Sequence, residues 1–404
     1  MKMWVKILIA IGLGIGSGLV LGPYAEILKP IGTVFINLLR MVIVPLIFSS
    51  MVMGVSSTDP KRLGRVGIRA IGLYALFTVL ALTLGIAVSS ALGLGKSMHL
   101  VATGGNAPAS VPSLIDMFVA IVPKNPIEAF ANANVLQILF FAILFGISLN
   151  ALGDVGKPVV SFFEACAHVM FRMTAIIMNV APIGVFALMA WATGTFGVAV
   201  LVPVLKFLLS YVAACTIYAV VVYGIFLVGF AKLSPLPLVK GIAEALATGS
   251  STCSSSATLP LTIQSCVKNI GMNEKFATFV LPLGCSLNLN GSALFQAMAA
   301  IFIAQAYGVD LTSQHLMLLG MTIVLATFGT AAIPSGGLIM LSIVFSSVGI
   351  PLEGIAILAS VDRLRDMAST MLNITGDVVT ATYLAQGEGE LDRAVYIAET
   401  VPVA

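Results

Sequence analysis

The chain has 404 residues, of which 59% are hydrophobic and only 9% charged, and its formal net charge is +3. A soluble domain carries roughly 25% charged residues, so an aqueous surface cannot be covered from this composition, and most of the chain must face lipid or other apolar helices. The small net charge gives no argument for nucleic acid, and five isolated cysteines (Cys166, Cys215, Cys253, Cys266 and Cys285) without a CxxC give none for a zinc site or a disulfide framework.

The first apolar stretch, Val5 to Leu21, has Lys2 and Lys6 at its start and meets no small-residue cleavage pattern, so it reads as a retained helix. Its glycine run lacks a preceding strand and reads as helix packing through Gly14 and Gly18. Further apolar runs near 31–56, 66–94, 129–152, 158–195 and 198–231 are each long enough to cross a bilayer. Lys61, Arg62, Arg65 and Arg69 cluster in a short connection, which places the N-terminus and the 57–65 loop on the cytoplasmic side. The Gly/Ser/Pro-rich stretch 95–114 reads as an extramembrane loop, and 232–237 as a linker.

Beyond the linker the pattern changes. The segment 239–270 is broken by an unbroken hydroxyl and thiol run, Ser250 to Ser256, and 316–350 is broken by Gly329 to Gly337 around Pro334. Each break is followed by a long helix with a similar hexad, Leu287-Asn-Leu-Asn-Gly-Ser292 and then Leu372-Asn-Ile-Thr-Gly-Asp377. This is an internal repeat: a broken hairpin, then a helix expected to unwind at its hexad, twice over. Non-helical backbone at membrane depth survives only where it is buried in protein or lines a cavity, and paired broken segments point to a transport site. The two tips and the two hexads are therefore expected to converge.

The last apolar segment, 351–385, carries Asp362, Arg363, Arg365, Asp366 and Asp377, and charges at membrane depth are functional by default. At helical spacing Asp362, Asp366, Ser369, Thr370, Asn373 and Asp377 share one stripe about 100° wide, with Arg363 and Arg365 at its edges. Asp377 and the carbonyls near Asn288 and Asn373 suit a hard cation such as sodium. Helix N-termini at the hairpin tips suit a substrate carboxylate, and Asp366 suits an ammonium group. No nucleophile with its base is present, and His99, His168 and His315 form no metal set, so neither an enzyme nor a resident cofactor is expected.

Thr252 to Pro260, Asn288 to Ser292, Gly329 to Gly337, Asp362 to Asp377, Asn125-Pro126 to Gly146 and Ala181 to Phe186 together resemble the dicarboxylate/amino acid:cation symporter family. The resemblance covers nearly the whole chain. It implies an all-α polytopic fold of eight transmembrane helices and two re-entrant hairpins in inverted repeat. These would form a homotrimer in which transport domains move against a scaffold, as in an elevator. Scaffold helices would occupy 1–63 and 96–195, and the transport domain 64–95, 196–238, hairpin 239–270, helix 271–305, hairpin 316–350 and helix 351–385, with a polar tail at 386–404.

By the same resemblance, substrate would be held by Cys253, Ser254 and Ser255, by Ile333, Pro334, Ser335, Gly336 and Gly337, and by Ser292, Asp366, Thr370 and Asn373. Asp362, Arg365 and Ser369 complete the set. One sodium ion would use Gly284, Asn288, Asn373 and Asp377; a second Ser286, Thr327 and Thr330; a third Tyr74, Thr78 and Asn290. Three positions depart from the family pattern. Ser369 stands where acidic-substrate members carry arginine, Asn290 replaces a carboxylate, and Phe77 replaces a hydroxyl residue. The expectation is therefore a sodium-coupled amino acid symporter of the cytoplasmic membrane whose substrate is neutral or atypical. The competing expectation is an acidic amino acid or C4-dicarboxylate held by Arg365 or Arg363, with sodium or proton coupling. An ion channel is the remote third.

Overall fold

A computed structural model describes residues 3–56, 65–98, 100, 119, 122–132, 135–196, 201–329, 332 and 334–397. Lys2, Lys61, Arg62, His99, Thr330 and Ile333 lie outside the described residues, as does most of the expected 95–114 loop. Among the described residues the fold is entirely helical apart from one isolated bridge, Met272 to Leu391. Four helical stretches are long and apolar enough to cross a membrane: Ile9–Phe35, Val66–Leu92, Val202–Ala231 and Phe276–Ala306. Shorter apolar helices, among them Phe140–Ala151, Ser313–Phe328 and Gly336–Ser347, accompany them. Large apolar side chains such as Leu13, Val20, Ile68, Val220 and Phe230 are more than half exposed, which a bilayer accommodates and water does not.

Helix α1 (Met3–Leu21) packs along α7 (Ala181–Phe196), while α2 (Lys29–Ser56) packs on α5 (Val135–Ala151), α6 (Lys157–Asn179) and α7. A short helix, α4 (Pro126–Ala131), capped by Asn125, precedes α5. The glycine reading of α1 holds. A methyl on Gly14 would lie 2.7 Å from the carbonyl oxygen of Phe186, and one on Gly18 2.9 Å from Cβ of Thr193. Without Cβ atoms there, the two backbones reach the distance at which dispersion contacts are made along the whole seam.

The other helices surround α12 (Asn290–Ala306), which is buried on every side from Asn290 to Ala304. A helix covered on every side is held within protein rather than facing lipid. Against it pack α3 (Arg65–Leu92), brought close by Gly85, and α8 (Leu201–Ile217). The two broken segments are α9 (Ala243–Thr252) with α10 (Ser255–Lys268), and α13 (Ser313–Gly329) with α14 (Gly336–Ser347). Between the pairs lie α11 (Glu274–Leu287) and α12; after them come α15 (Gly354–Ala359) and α16 (Asp362–Glu388).

The first hexad breaks its helix as expected: α11 stops at Leu287 and α12 resumes at Asn290. The second does not. Helix α16 runs unbroken through Leu372–Asp377, and the interruption lies upstream at Ser360–Val361. Asn373 keeps helical backbone while meeting the broken helix with both its side chain, which accepts from the Gly291 amide at 2.8 Å, and its carbonyl, which accepts from Asn288. The tail is also less separate than expected. After a left-handed Gly389 the chain returns as Arg393–Ile397, and the buried Tyr396 donates to the carbonyl of Ser234 in the linker.

Candidate functional site

The two breaks meet. At the first, Cys253 adopts a left-handed φ of 55°, and Ser254 caps α10 by accepting from the Ala257 amide at 3.2 Å. At the second, Ser335 is left-handed with φ of 64°. Non-glycine residues in this region are strained and persist where surroundings hold them. Here the holding contacts run between the tips: the Ser254 hydroxyl donates to the carbonyl of Ala332 at 2.9 Å. The amide of Ser335 in turn donates to Oδ2 of Asp366 at 2.7 Å. The two tips and the polar stripe of α16 thus form one cluster.

Arg365 lies at its centre, fully buried. Its guanidinium pairs with Asp362 and, at 3.0 Å, with Asp366, and its carbon stands 3.9 Å from the centre of the Phe295 ring. A methyl built on Gly337 would be 3.1 Å from Nη1 of Arg365 and 3.3 Å from the Ser292 hydroxyl, so these groups crowd one point. Asp366, expected to await an ammonium group, is engaged by Arg365 and the Ser335 amide together. Arg363 faces the other way and donates to the carbonyls of Ser251 and Thr252 at 3.0 and 3.4 Å, closing the end of α9. Ser255, Ser369, Thr370 and Asn373 are buried around the same cluster, Thr370 against Gly249 of α9. Pro334, Gly336 and Gly337 line its second tip.

About three turns along α16 from Asp366, Asp377 forms a second cluster. Nδ2 of Asn288 donates to Oδ1 of Asp377 at 2.8 Å and to the Asn373 carbonyl at 3.2 Å. Gly284 has no room for a side chain, since a methyl there would lie 2.7 Å from the Tyr74 hydroxyl and 2.9 Å from Asp377 Oδ1. The Tyr74 hydroxyl is buried without a hydrogen-bond partner among the described residues. Thr78 donates to Oδ1 of Asn290 at 3.0 Å. The sets expected for a first and a third cation are therefore contiguous. The expected second set, for which backbone near these residues was the candidate ligand, is described only in part. Ser286 is exposed and bonded to Pro282 in its own helix, Thr327 is bonded to Ile323, and Thr330 lies outside the described residues.

The sequence reading missed three tyrosines of the run 198–231. Tyr211 donates to the Gly291 carbonyl, Tyr218 to the Phe77 carbonyl, and Tyr223 accepts from Asn290. Their signal was three phenols within one lipid-grade apolar run, where each hydroxyl requires a buried partner. Phe295, beneath Arg365, was also missed and carries no sequence signal, being one aromatic in an apolar helix.

A family model described as the sodium:dicarboxylate symporter family matches residues 3–386. The proton/sodium-glutamate symport protein of Geobacillus stearothermophilus is 35% identical over 384 residues, covering 91% of this chain and 90% of that protein. The proton/glutamate-aspartate symporter of Escherichia coli is 35% identical over 409 residues, 96% and 93% of the two chains. The C4-dicarboxylate transport protein of Rhodospirillum rubrum is 34% identical over 401 residues, 97% and 89%. With helices apolar enough for a bilayer, two broken segments meeting on a charged stripe and relatives of nearly equal length, the chain belongs to the sodium:dicarboxylate symporter family, a family of membrane transporters and not of enzymes.

Proposed function

We propose that the chain is a secondary transporter that carries an acidic amino acid across the cytoplasmic membrane, driven by sodium ions or protons. The observation behind this reading is the buried Arg365, set between Ser292, Gly337 and Phe295 and balanced by Asp362 and Asp366. A guanidinium offers a carboxylate a bidentate partner, which Ser369 cannot. The three relatives above are named for glutamate, aspartate or C4-dicarboxylates. The neutral substrate expected from Ser369 alone becomes the second reading.

Charge favours an amino acid over a bare dicarboxylate. Arg365 faces two aspartates, so the cluster is negative before substrate arrives. An incoming ammonium takes over Asp366 and frees one side of Arg365 for the substrate's distal carboxylate. A dicarboxylate lacking that ammonium would leave Asp366 facing an anion.

Coupling follows from the same balance. Among the described residues the buried ionisable acidic and basic side chains are Asp362, Asp366 and Asp377 against the single guanidinium of Arg365. Unpaired charge at membrane depth costs several kcal/mol in practice, so cations enter with the anionic substrate. We assign the first to Asp377, Asn288, Asn373 and Gly284, the second to Ser286, Thr327 and Thr330, and a weakened third to Tyr74, Thr78 and the uncharged Asn290. Helices α1, α2 and α5 to α7 would form the scaffold of a homotrimer, and α3 with α8 to α16 the moving body. Lys6, Arg65 and Arg69 argue for a cytoplasmic N-terminus.

The test is uptake of labelled aspartate, glutamate, succinate, serine and alanine into proteoliposomes under sodium or pH gradients. Aspartate or glutamate uptake is expected to exceed the others. Removing Arg365 alone would strand two carboxylates, so Arg365→Met is combined with Asp362→Asn; acidic uptake should vanish while sodium still stabilises the protein thermally. Wild-type uptake of serine or alanine with indifference to aspartate would overturn the reading.

A further inference from the structure

The helix that carries the three tyrosines leaves α geometry twice. Beyond α8 it becomes a π-helix over Tyr218–Tyr223, returns to α geometry for Gly224–Phe226, and is π-helical again over Leu227–Ala231. A π turn is uncommon and is frequently found at functional sites. Tyr211 and Tyr218 are seven residues apart, two α turns, and share a face. Tyr223, five residues further, would point about 140° away in an α-helix. The wider π turn reduces that angle, and the Tyr218 and Tyr223 rings pack edge to face at 5.1 Å.

What the redirected hydroxyl meets is a relay of two amides. Nδ2 of Asn290 donates to the Tyr223 hydroxyl at 2.8 Å and to Oδ1 of Asn288 at 2.6 Å, while its Oδ1 accepts from Thr78. Both amide hydrogens of Asn290 are thereby committed. Asn288, its oxygen engaged by Asn290, turns its own Nδ2 to Asp377 and the Asn373 carbonyl. Gly376 carries an independent mark of the same arrangement. A methyl there would lie 2.5 Å from Nδ2 of Asn288 and closer still to the Tyr223 hydroxyl. The backbone of α16 is bare at the point where the phenol and the amide cross it.

We infer that Tyr223 is a positioning residue for the coupling cation: its hydroxyl, delivered by the π register, fixes the orientation of the Asn290 and Asn288 amides and hence how Asn288 and Asp377 face the ion. The inference rests on the cation-coupled reading above. Without the hydroxyl, one hydrogen of Asn290 loses its acceptor and the amide pair is free to turn, so that an Asn288 hydrogen need no longer be directed at Asp377.

The experiment compares full-length wild type, Tyr223→Phe and Tyr218→Phe in proteoliposomes. Aspartate uptake is measured against sodium concentration at fixed pH and against pH at minimal sodium. Tyr218 is the control: its hydroxyl is as deeply buried and donates to the Phe77 carbonyl at 2.6 Å, but lies outside the relay. Tyr223→Phe is expected to raise the half-saturating cation concentration about fivefold or more, the scale of one lost buried hydrogen bond. Aspartate affinity at saturating cation should stay within about twofold, and Tyr218→Phe should change neither. Gly376→Ala, which presses on the same hydroxyl and on the Asn288 amide, should reproduce the shift, and an unchanged cation dependence there overturns the inference where Tyr223→Phe does not fold. An unchanged cation dependence in the folded variant, or an equal shift in Tyr218→Phe, overturns the inference. Wild-type uptake that responds to neither cation overturns the coupling reading and this inference with it.

Discussion

Asp377 illustrates how much a single buried charge can be made to do. It is almost wholly buried, and its hydrogen-bonded neighbour is the neutral amide of Asn288 rather than a cationic side chain. Hydrogen bonds recover part of the desolvation penalty of a carboxylate, and a cation recovers the rest. Asp377→Asn is therefore expected to raise the melting temperature in cation-free buffer and to remove the further rise that sodium gives wild type. Sodium titrations followed by thermal unfolding check both halves; a variant still stabilised by sodium would remove Asp377 from the cation site. Arg365 differs because its partners are carboxylates of its own helix. One guanidinium is shared by two carboxylates one helical turn apart, with the face of Phe295 beneath it. Its place at the edge of the stripe was legible from helical spacing. Its engagement with Asp362 and Asp366 together was not, because rotamer and burial are decided by what packs above α16.

Among the elements, the two broken segments carry the mechanism. Each tip is a strained residue, Cys253 or Ser335, followed directly by a helix N-terminus. At the second tip the strain has a use, since the left-handed backbone of Ser335 turns its amide onto Asp366. A β-branched residue tolerates this φ poorly, and glycine tolerates it without cost. Ser335→Val should therefore weaken substrate binding by about tenfold, the effect of about 1–2 kcal/mol of left-handed strain. Ser335→Gly should remain close to wild type. Calorimetric titration of aspartate into both variants tests this, and similar losses in both would point to the hydroxyl instead. The two hexads teach the complementary lesson. They are near copies in sequence, yet only Leu287–Ser292 interrupts its helix. In the second, Asn373 is met by the Gly291 amide and Gly376 makes way for Tyr223, so the same residue types shape an interface between helices that stay intact.

At the scale of the molecule, apolar helices surround a polar centre, and charge is concentrated where lipid is excluded. The buried excess of carboxylates predicts that acidic substrate and cation bind only together. Calorimetry at alkaline pH in choline chloride should detect no aspartate binding, and sodium chloride or acidification should restore it. Tight binding under the first condition would contradict the coupling. The packing of α1 on α7 through Gly14 and Gly18, and of α3 on α12 through Gly85, brings these helix backbones into close contact.

The sequence by itself determined the class of environment, the positions of the breaks and the charged stripe, because hydropathy, glycine and proline, and helical periodicity act over one turn or one membrane span. Those are local physical constraints, and they are written in neighbouring residues. Only the tertiary structure decided which hexad unwinds, that Arg365 is held by Asp362 and Asp366, and that a π turn carries Tyr223 to Asn290. Each of these is settled by contacts between helices far apart in the chain, where a hydrogen bond or a missing Cβ on one element sets the geometry of another.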